Sequence, residues 1–228
     1  MIISGIVKSS LVDYPGLVAC VLFVPGCNYN CFYCHNRSLL DGTHEVLSPG
    51  YIESFLEKRK GLLDGVVITG GEPTLQHDLL TYMEMIKKRG YKIKLDTNGS
   101  SPSVVKQVLE ARLCDYFAVD YKAPATEYEE ICGKNANAGA VLETIALLLE
   151  SHSDFEVRTT VIPQLGENQL LTMAKELSVV PKYVLNRYKA PNRYLPNDKA
   201  RIDAKPHSQQ ELDLFVQLIK QYQPNVIS

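Results

Sequence analysis

The chain has 228 residues, 45% hydrophobic and 22% charged, with a formal net charge of −2, an ordinary globular composition. The near-neutral balance and scattered Lys and Arg argue against a nucleic-acid partner, no apolar run approaches the ~18 residues of a membrane span, and the start MIISGIVKSSLVDYPG lacks the basic-then-apolar pattern of a secretory signal. A cytoplasmic location is expected, where thiols stay reduced, so the six cysteines point to metal or catalysis before disulfides.

Residues 1–16 read as a short N-terminal extension. LVACVLFV at 17–24 is the first buried strand, and the cysteine-rich loop follows it. Ser48-Pro49 caps a helix with Ile52, Phe55 and Leu56 on one face. VVIT at 66–69 is the second strand, and Leu75, Leu79, Met83 and Ile86 form the next helical stripe, stopped by Gly90. IKLDT at 93–97 is the third strand, and Ser101-Pro102 opens a helix carrying Val104, Val105, Val108 and Leu109. YFAVD at 116–120 is the fourth, with Val141, Ile145, Leu148 and Leu149 on the helix after it. VRTTVI at 157–162 is the fifth, followed by a weaker helix over 168–177. YVLNR at 183–187 is the sixth. The capping box Ser208-x-x-Glu211 opens the last helix, with Leu212, Phe215, Ile219 and Tyr222 on its apolar face.

Strand and helix alternate about six times, which predicts parallel strands joined by right-handed crossovers. A closed barrel needs eight units and about 250 residues. The expected architecture is therefore α/β: one domain over 1–228, built as a partial (β/α)6 TIM-like open barrel. Its core runs over 17–190, and a C-terminal loop and helix occupy 191–228. Ligands of such folds bind at the C-terminal strand ends. Polar residues collect there: Gly26-Cys27, Gly70-Gly71-Glu72-Pro73, Asp96-Thr97-Asn98 and Asp120-Tyr121-Lys122.

CNYNCFYC at 27–34 sets Cys27, Cys31 and Cys34 at C-x3-C-x2-C spacing, with His35 next. Four readings compete. CFYCH matches a c-type haem attachment sequence, but haem attachment needs export and leaves Cys27 idle. A structural zinc site wants four closed ligands, and His35 stands awkwardly beside Cys34. A disulfide pairing leaves an odd thiol. A four-iron cubane takes four thiolates, so three leave one iron open, and an open position on a metal is where a substrate or cofactor binds.

The pattern C-x3-C-x2-C, with aromatic Tyr33 before the last cysteine, resembles that of the radical S-adenosylmethionine (SAM) superfamily. TGGEP at 69–73 is similar to the family's glycine-rich SAM motif. LDTNG at 95–99, VDYKAP at 119–124 and RTTVIP at 158–163 resemble the glycyl-radical enzyme activating branch. SSLVDYPG with GCNYNCFYCHN looks most like the anaerobic ribonucleoside-triphosphate reductase activating proteins, relatives of the pyruvate formate-lyase activating enzymes. The resemblance covers residues 4–190.

It implies a 4Fe-4S cluster on Cys27, Cys31 and Cys34, with SAM chelated at the open iron. Reductive cleavage of SAM would give a 5′-deoxyadenosyl radical that abstracts hydrogen from a glycine of a large glycyl-radical enzyme. Flavodoxin or ferredoxin would donate the electron. The implied SAM contacts are Tyr33, Gly70, Gly71, Glu72, Pro73, Asp96, Thr97, Asn98, Asp120, Lys122 and Arg158. Glu72 would accept from the SAM ammonium, and Arg158 would fork onto its carboxylate. Asp96 and Asp120 would need a positive charge between them, from a monovalent cation or Lys122. LNRYKAP on strand six has no histidine, a departure from the pyruvate formate-lyase activators. Cys20 and Cys114 read as buried apolar thiols, and Cys132 stands alone in sequence. Two other readings remain: a radical SAM enzyme acting on RNA, a peptide or a small molecule, and a zinc-binding interaction module.

Overall fold

The structure is a computed structural model describing all 228 residues, Met1–Ser228. In chain order its elements are β1 (Gly5–Ser10), β2 (Ala19–Val24), α1 (Arg37–Leu40), α2 (Pro49–Lys58), β3 (Gly65–Gly70), α3 (Leu79–Lys88), β4 (Lys92–Thr97), α4 (Pro102–Glu110), β5 (Tyr116–Asp120), α5 (Tyr128–Cys132), α6 (Ala138–Glu150), β6 (Phe155–Val161), α7 (Glu167–Glu176), β7 (Tyr183–Arg187), α8 (Lys199–Ile202), α9 (Gln209–Ile219) and β8 (Val226–Ile227). The six expected strands are β2 to β7. The expected extension contains β1, and the C-terminal segment ends in β8; both are additions to the six-strand reading. The chain is α/β, and its strands pair mostly in parallel. No helix is long and apolar enough to cross a membrane.

Contacts divide the chain into two compact units. The first holds Met1–Cys27, Ser38–Thr97 and Ser103–Ala118. Here β1 runs antiparallel to β2, with an irregularity between Val7 and Ser10. β2, β3 and β4 are parallel, Ala19 opposite Gly65 and Val66 opposite Ile93. Cys20, Leu22, Val66, Val67, Ile68, Ile93 and Leu95 are fully buried, as strands of a parallel sheet covered on both faces must be. α2 starts where Ser48 Oγ accepts from Tyr51 N–H and Pro49 fills the first position, and it buries Ile52 and Leu56. The stripe from Leu75 begins too early. Pro73–Leu75 is a 3-10 turn capped by the Glu72 side chain, and α3 starts only at Leu79.

The second unit holds Asn28–Arg37, Asn98–Pro102 and Val119–Ser228. β6 and β7 are parallel with Val157 opposite Tyr183, and β8 adds to β7. The chain leaving β5 joins them through Tyr121 N–H, which donates to the Arg158 carbonyl at 2.9 Å. α6 opens at an Asn137 cap and buries Val141, Thr144, Ile145 and Leu148. Buried Gln223 ties the C-terminal segment to the end of α7, donating to the Ala174, Leu177 and Ser178 carbonyls while accepting from Val180 N–H. Thr144 is wholly buried, and its hydroxyl donates to the Gly99 carbonyl at 2.7 Å. That bond fixes the turn after β4. Asn98 in turn donates to Asn28 Oδ1, and Asn28 to Ser100 Oγ, each at 2.9 Å.

Thr144→Val keeps the shape of the side chain but removes its donor to the Gly99 carbonyl. Unfolding in urea should show a loss of about 1–3 kcal/mol with an unchanged m value; an unchanged midpoint would show that the bond holds nothing.

Candidate functional site

Residues 25–36 lie in no helix or strand. Cys27 and Cys34 are half-buried, Cys31 is buried and His35 is exposed. All six cysteines are free thiols. A turn closes by Cys34 N–H to the Cys31 carbonyl at 3.2 Å. Arg201, from the C-terminal segment, lies 3.8 Å from the centre of the Phe32 ring, a cation–π cover for the loop.

Cys31 has a neighbour that spacing did not reveal. Cys132, whose carbonyl accepts from Asn30 N–H at 2.7 Å, and after it the Lys122 ammonium hold the Cys31 thiol below the usual range despite burial. Cys132 moves the other way, pushed up by burial first and by Cys31 second. Burial raises Cys34 and pushes Cys20 and Cys114 up to about 12, as expected of apolar thiols.

Lys122 faces this group. Its side chain donates to Asp120 Oδ2 at 3.0 Å, and Arg158 Nε donates to Asp120 Oδ1 at 3.0 Å. Burial would raise the Asp120 carboxyl, but Lys122 and then Arg158 outweigh it and hold it at about 2. Burial pulls the Lys122 ammonium down, and Asp120, Tyr33 and Cys31 more than reverse this. Of the two expected sources of positive charge, Lys122 serves Asp120, joined by Arg158. The Tyr33 hydroxyl is buried without a hydrogen-bond partner.

In the first unit, the turn after β3 is pressed against the turn after β2. Gly71 N–H donates to the Val24 carbonyl at 2.8 Å, and Glu72 N–H to the Gly26 carbonyl at 2.7 Å. A Cβ on Gly71 would fall 1.9 Å from the Gly26 carbonyl oxygen, so only glycine permits this approach. Glu72 is fully buried. Its Oε1 accepts from Thr74 N–H at 3.0 Å, from Thr74 Oγ1 at 2.6 Å and from Thr97 Oγ1 at 2.7 Å. That set joins Pro73 and the end of β4 to one carboxylate. Asp96 has its own cation, the Lys94 ammonium at 2.5 Å, itself nearly fully buried.

Gly70, Gly71, Glu72, Pro73, Asp96 and Thr97 thus gather in the first unit, and Tyr33, Asn98, Asp120, Lys122 and Arg158 in the second. Sequence reasoning missed Lys94, Cys132 and Arg201. Lys94 carried a signal, a charge in a buried strand two residues before Asp96; the others are long-range partners. No three His, Cys, Asp or Glu side chains form a preformed metal cage. The donor set fits an iron–sulfur cluster by kind, soft sulfur ligands, and the orphaned Tyr33 hydroxyl is the buried group a bound ligand would satisfy.

The sequence model of the Radical SAM superfamily matches residues 21–177. A Methanocaldococcus jannaschii protein, provisionally named a glycyl-radical enzyme activating enzyme, is 30% identical over 99% of this chain and 95% of its own length. Among solved structures, a domain of pyruvate-formate lyase-activating enzyme from Bacteroides vulgatus covers 69% of this chain and 94% of its own, at TM-score 0.54 and 19% identity. Streptococcus suis SuiB bound to S-adenosylmethionine covers 89% of this chain and 48% of its own, at TM-score 0.67 and 15% identity. These two likenesses show the fold, a partial, open α/β barrel. The chain belongs to the radical SAM superfamily, whose cofactors are a 4Fe-4S cluster and S-adenosylmethionine.

Proposed function

We propose that this chain is a radical SAM activase that makes a glycyl radical on a large partner enzyme, anaerobic ribonucleoside-triphosphate reductase being the partner its motifs favour. The observation that carries the reading is end-to-end similarity to a protein named for that activity, joined to three thiols in one eight-residue run. The whole of 1–228 acts as one domain in this reading; the superfamily match over 21–177, which draws on both compact units, supports that. Reduced thiols throughout favour the cytoplasm, and flavodoxin or ferredoxin would supply the electron.

Cys27, Cys31 and Cys34 would hold the cluster. When bound, cluster and SAM together supply a 5′-deoxyadenosyl radical. The chain's own residues do the rest. Gly70 and Gly71 let backbone approach the ligand closely. Lys122 and Arg158, already gathered on Asp120, present positive charge suited to a carboxylate. Glu72 was expected to meet the SAM ammonium; its burial beneath Thr74 and Thr97 favours a role in shaping the turn on which Pro73, Thr97 and the glycines sit. Asp96, held by Lys94, and Asn98, held by Asn28, are the remaining polar contacts, and Tyr33 offers its hydroxyl. A monovalent cation beside Asp96 or Asp120 would join charges that Lys94, Lys122 and Arg158 already balance in part.

Replacing any one of Cys27, Cys31 or Cys34 by Ala should abolish SAM cleavage, read as loss of 5′-deoxyadenosine; a variant that still cleaves SAM at the native rate would remove that residue from the ligand set. Glu72→Ala should weaken SAM binding about tenfold or more while iron content stays at the native level, measured by calorimetric titration of the reconstituted protein; unchanged affinity would return TGGEP to an ordinary turn. Reconstituted protein given SAM, a reductant and the partner should yield a glycyl doublet in electron paramagnetic resonance. Intact SAM cleavage with no doublet on any candidate partner would leave the superfamily standing and remove the activase reading.

A further inference from the structure

The segment leaving β7 has a charge balance that the whole-chain value conceals. Between Arg187 and Lys205 stand six Lys and Arg against two acidic residues, Asp198 and Asp203, whereas the full chain is at −2. Arg187, Lys189, Arg193, Lys199 and Lys205 are exposed. Lys199 pairs with Asp203, and Arg201 stands 3.9 Å from the Glu130 carboxylate; Arg187, Lys189 and Lys205 take no part in these pairs. The segment is fastened down. Tyr188 is buried, and its hydroxyl donates to the Ile202 carbonyl at 3.4 Å. Gln164, after β6, donates to the Arg201 carbonyl at 3.1 Å. Arg201 in turn lies over the ring of Phe32, the residue after Cys31, and donates to the Glu130 carbonyl of α5 at 3.3 Å. A cationic strip is thereby built against the cysteine loop. Its one exposed large apolar side chain is Leu195.

We propose that this strip is the docking surface for a small acidic electron-carrier protein. Charge decides the class of partner. Encounters that pass electrons are small and transient, and complementary charge steers them more than buried apolar area does. Several exposed cations with a single exposed large apolar side chain suit that kind of contact; a permanent interface needs an apolar centre. Single-stranded nucleic acid wants aromatic rings on which bases stack, but Tyr188 is buried and Tyr194 half-buried. Position decides the rest: a carrier seated here stands beside the loop whose thiols would hold the cluster. One electron passes, the carrier being oxidised by one and the cluster reduced by one, and no bond is made or broken. The inference rests on the cluster assignment to Cys27, Cys31 and Cys34, and it names where the electron enters.

The test combines Arg187→Glu, Lys189→Glu and Lys205→Glu in one variant. Lys8→Glu, Lys106→Glu and Lys220→Glu together make an equal charge change at other exposed positions. Each reconstituted protein is titrated calorimetrically with a flavodoxin and with a ferredoxin, both acidic. Wild type should bind one of them with an affinity that falls as salt rises. The strip variant should bind that carrier about tenfold or more weakly, and the control variant as wild type does. SAM cleavage driven by the carrier should fall by a like factor, while cleavage driven by dithionite, which needs no docking, stays at the wild-type rate. If the strip variant loses dithionite-driven cleavage as well, Lys189→Glu alone decides, with an expected loss of about threefold in carrier affinity. Native carrier affinity in the variants, an equal loss in the control, or a wild type that binds neither carrier would overturn the proposal. So would a strip variant with native carrier affinity that forms no glycyl radical under dithionite, because the strip would then serve the protein substrate. A wild type that binds the carrier yet cleaves no SAM under dithionite would remove the activase reading instead, and the affinities would still decide the docking surface.

Discussion

The cysteine loop has no regular backbone of its own, so everything it does depends on what it is fastened to. A loop free to move would lose ordering entropy each time it gathered three thiols around one centre. Here much of that cost is met in folding. Asn30 is bonded to α5, Phe32 lies under Arg201, and Cys34 N–H closes a turn on Cys31. Asn28 is bonded to Ser100 and Asn98, next to the Gly99 carbonyl that Thr144 holds. α6 and the C-terminal segment, neither of which supplies a ligand thiol, thereby set the shape of the loop.

Charge is handled by a second constraint. A carboxylate withdrawn from water is costly unless hydrogen-bonded or paired, and each one near the strand ends, buried Glu72 and the partly exposed Asp96 and Asp120, has its own solution. Glu72 is satisfied by neutral donors from Thr74 and Thr97. Asp96 takes Lys94. Asp120 takes Lys122 and Arg158, and stays ionised down to about pH 2 because of them. The first arrangement makes a rigid turn and leaves no net cation. The last draws Lys122 and Arg158 onto one carboxylate. A single sequence feature, an acidic residue at a strand end, therefore yields a structural brace in one case and an ion-paired cluster in another.

The strand–helix rhythm was readable because most buried strands are short apolar runs rich in β-branched and aromatic residues and each longer helix carries a stripe every third or fourth residue. β2 to β7 and the longer helices follow from it. β1 and β8 were not readable. GIVKSS has no regular alternation of buried and exposed positions, β8 is two residues long, and both exist because a neighbouring strand offers an edge. α5 spans five residues, too few for a periodic signal. The site divides the same way. Thiol spacing and the Gly-Gly pair are local and were visible. The burial of Glu72, the Lys94–Asp96 pair and the approach of Cys132 to Cys31 depend on tertiary packing, so no window of sequence displays them.

The central claim is that Cys27, Cys31 and Cys34 hold a four-iron cluster with one iron left for SAM. The most direct measurement is the electron paramagnetic resonance spectrum of the reduced, anaerobically reconstituted chain before and after SAM is added. A cluster signal whose g values change on SAM addition, from a protein with about four irons per chain, is the predicted result, since a cubane carries four. Stoichiometric zinc in place of iron, or a cluster signal that SAM leaves untouched, would contradict it.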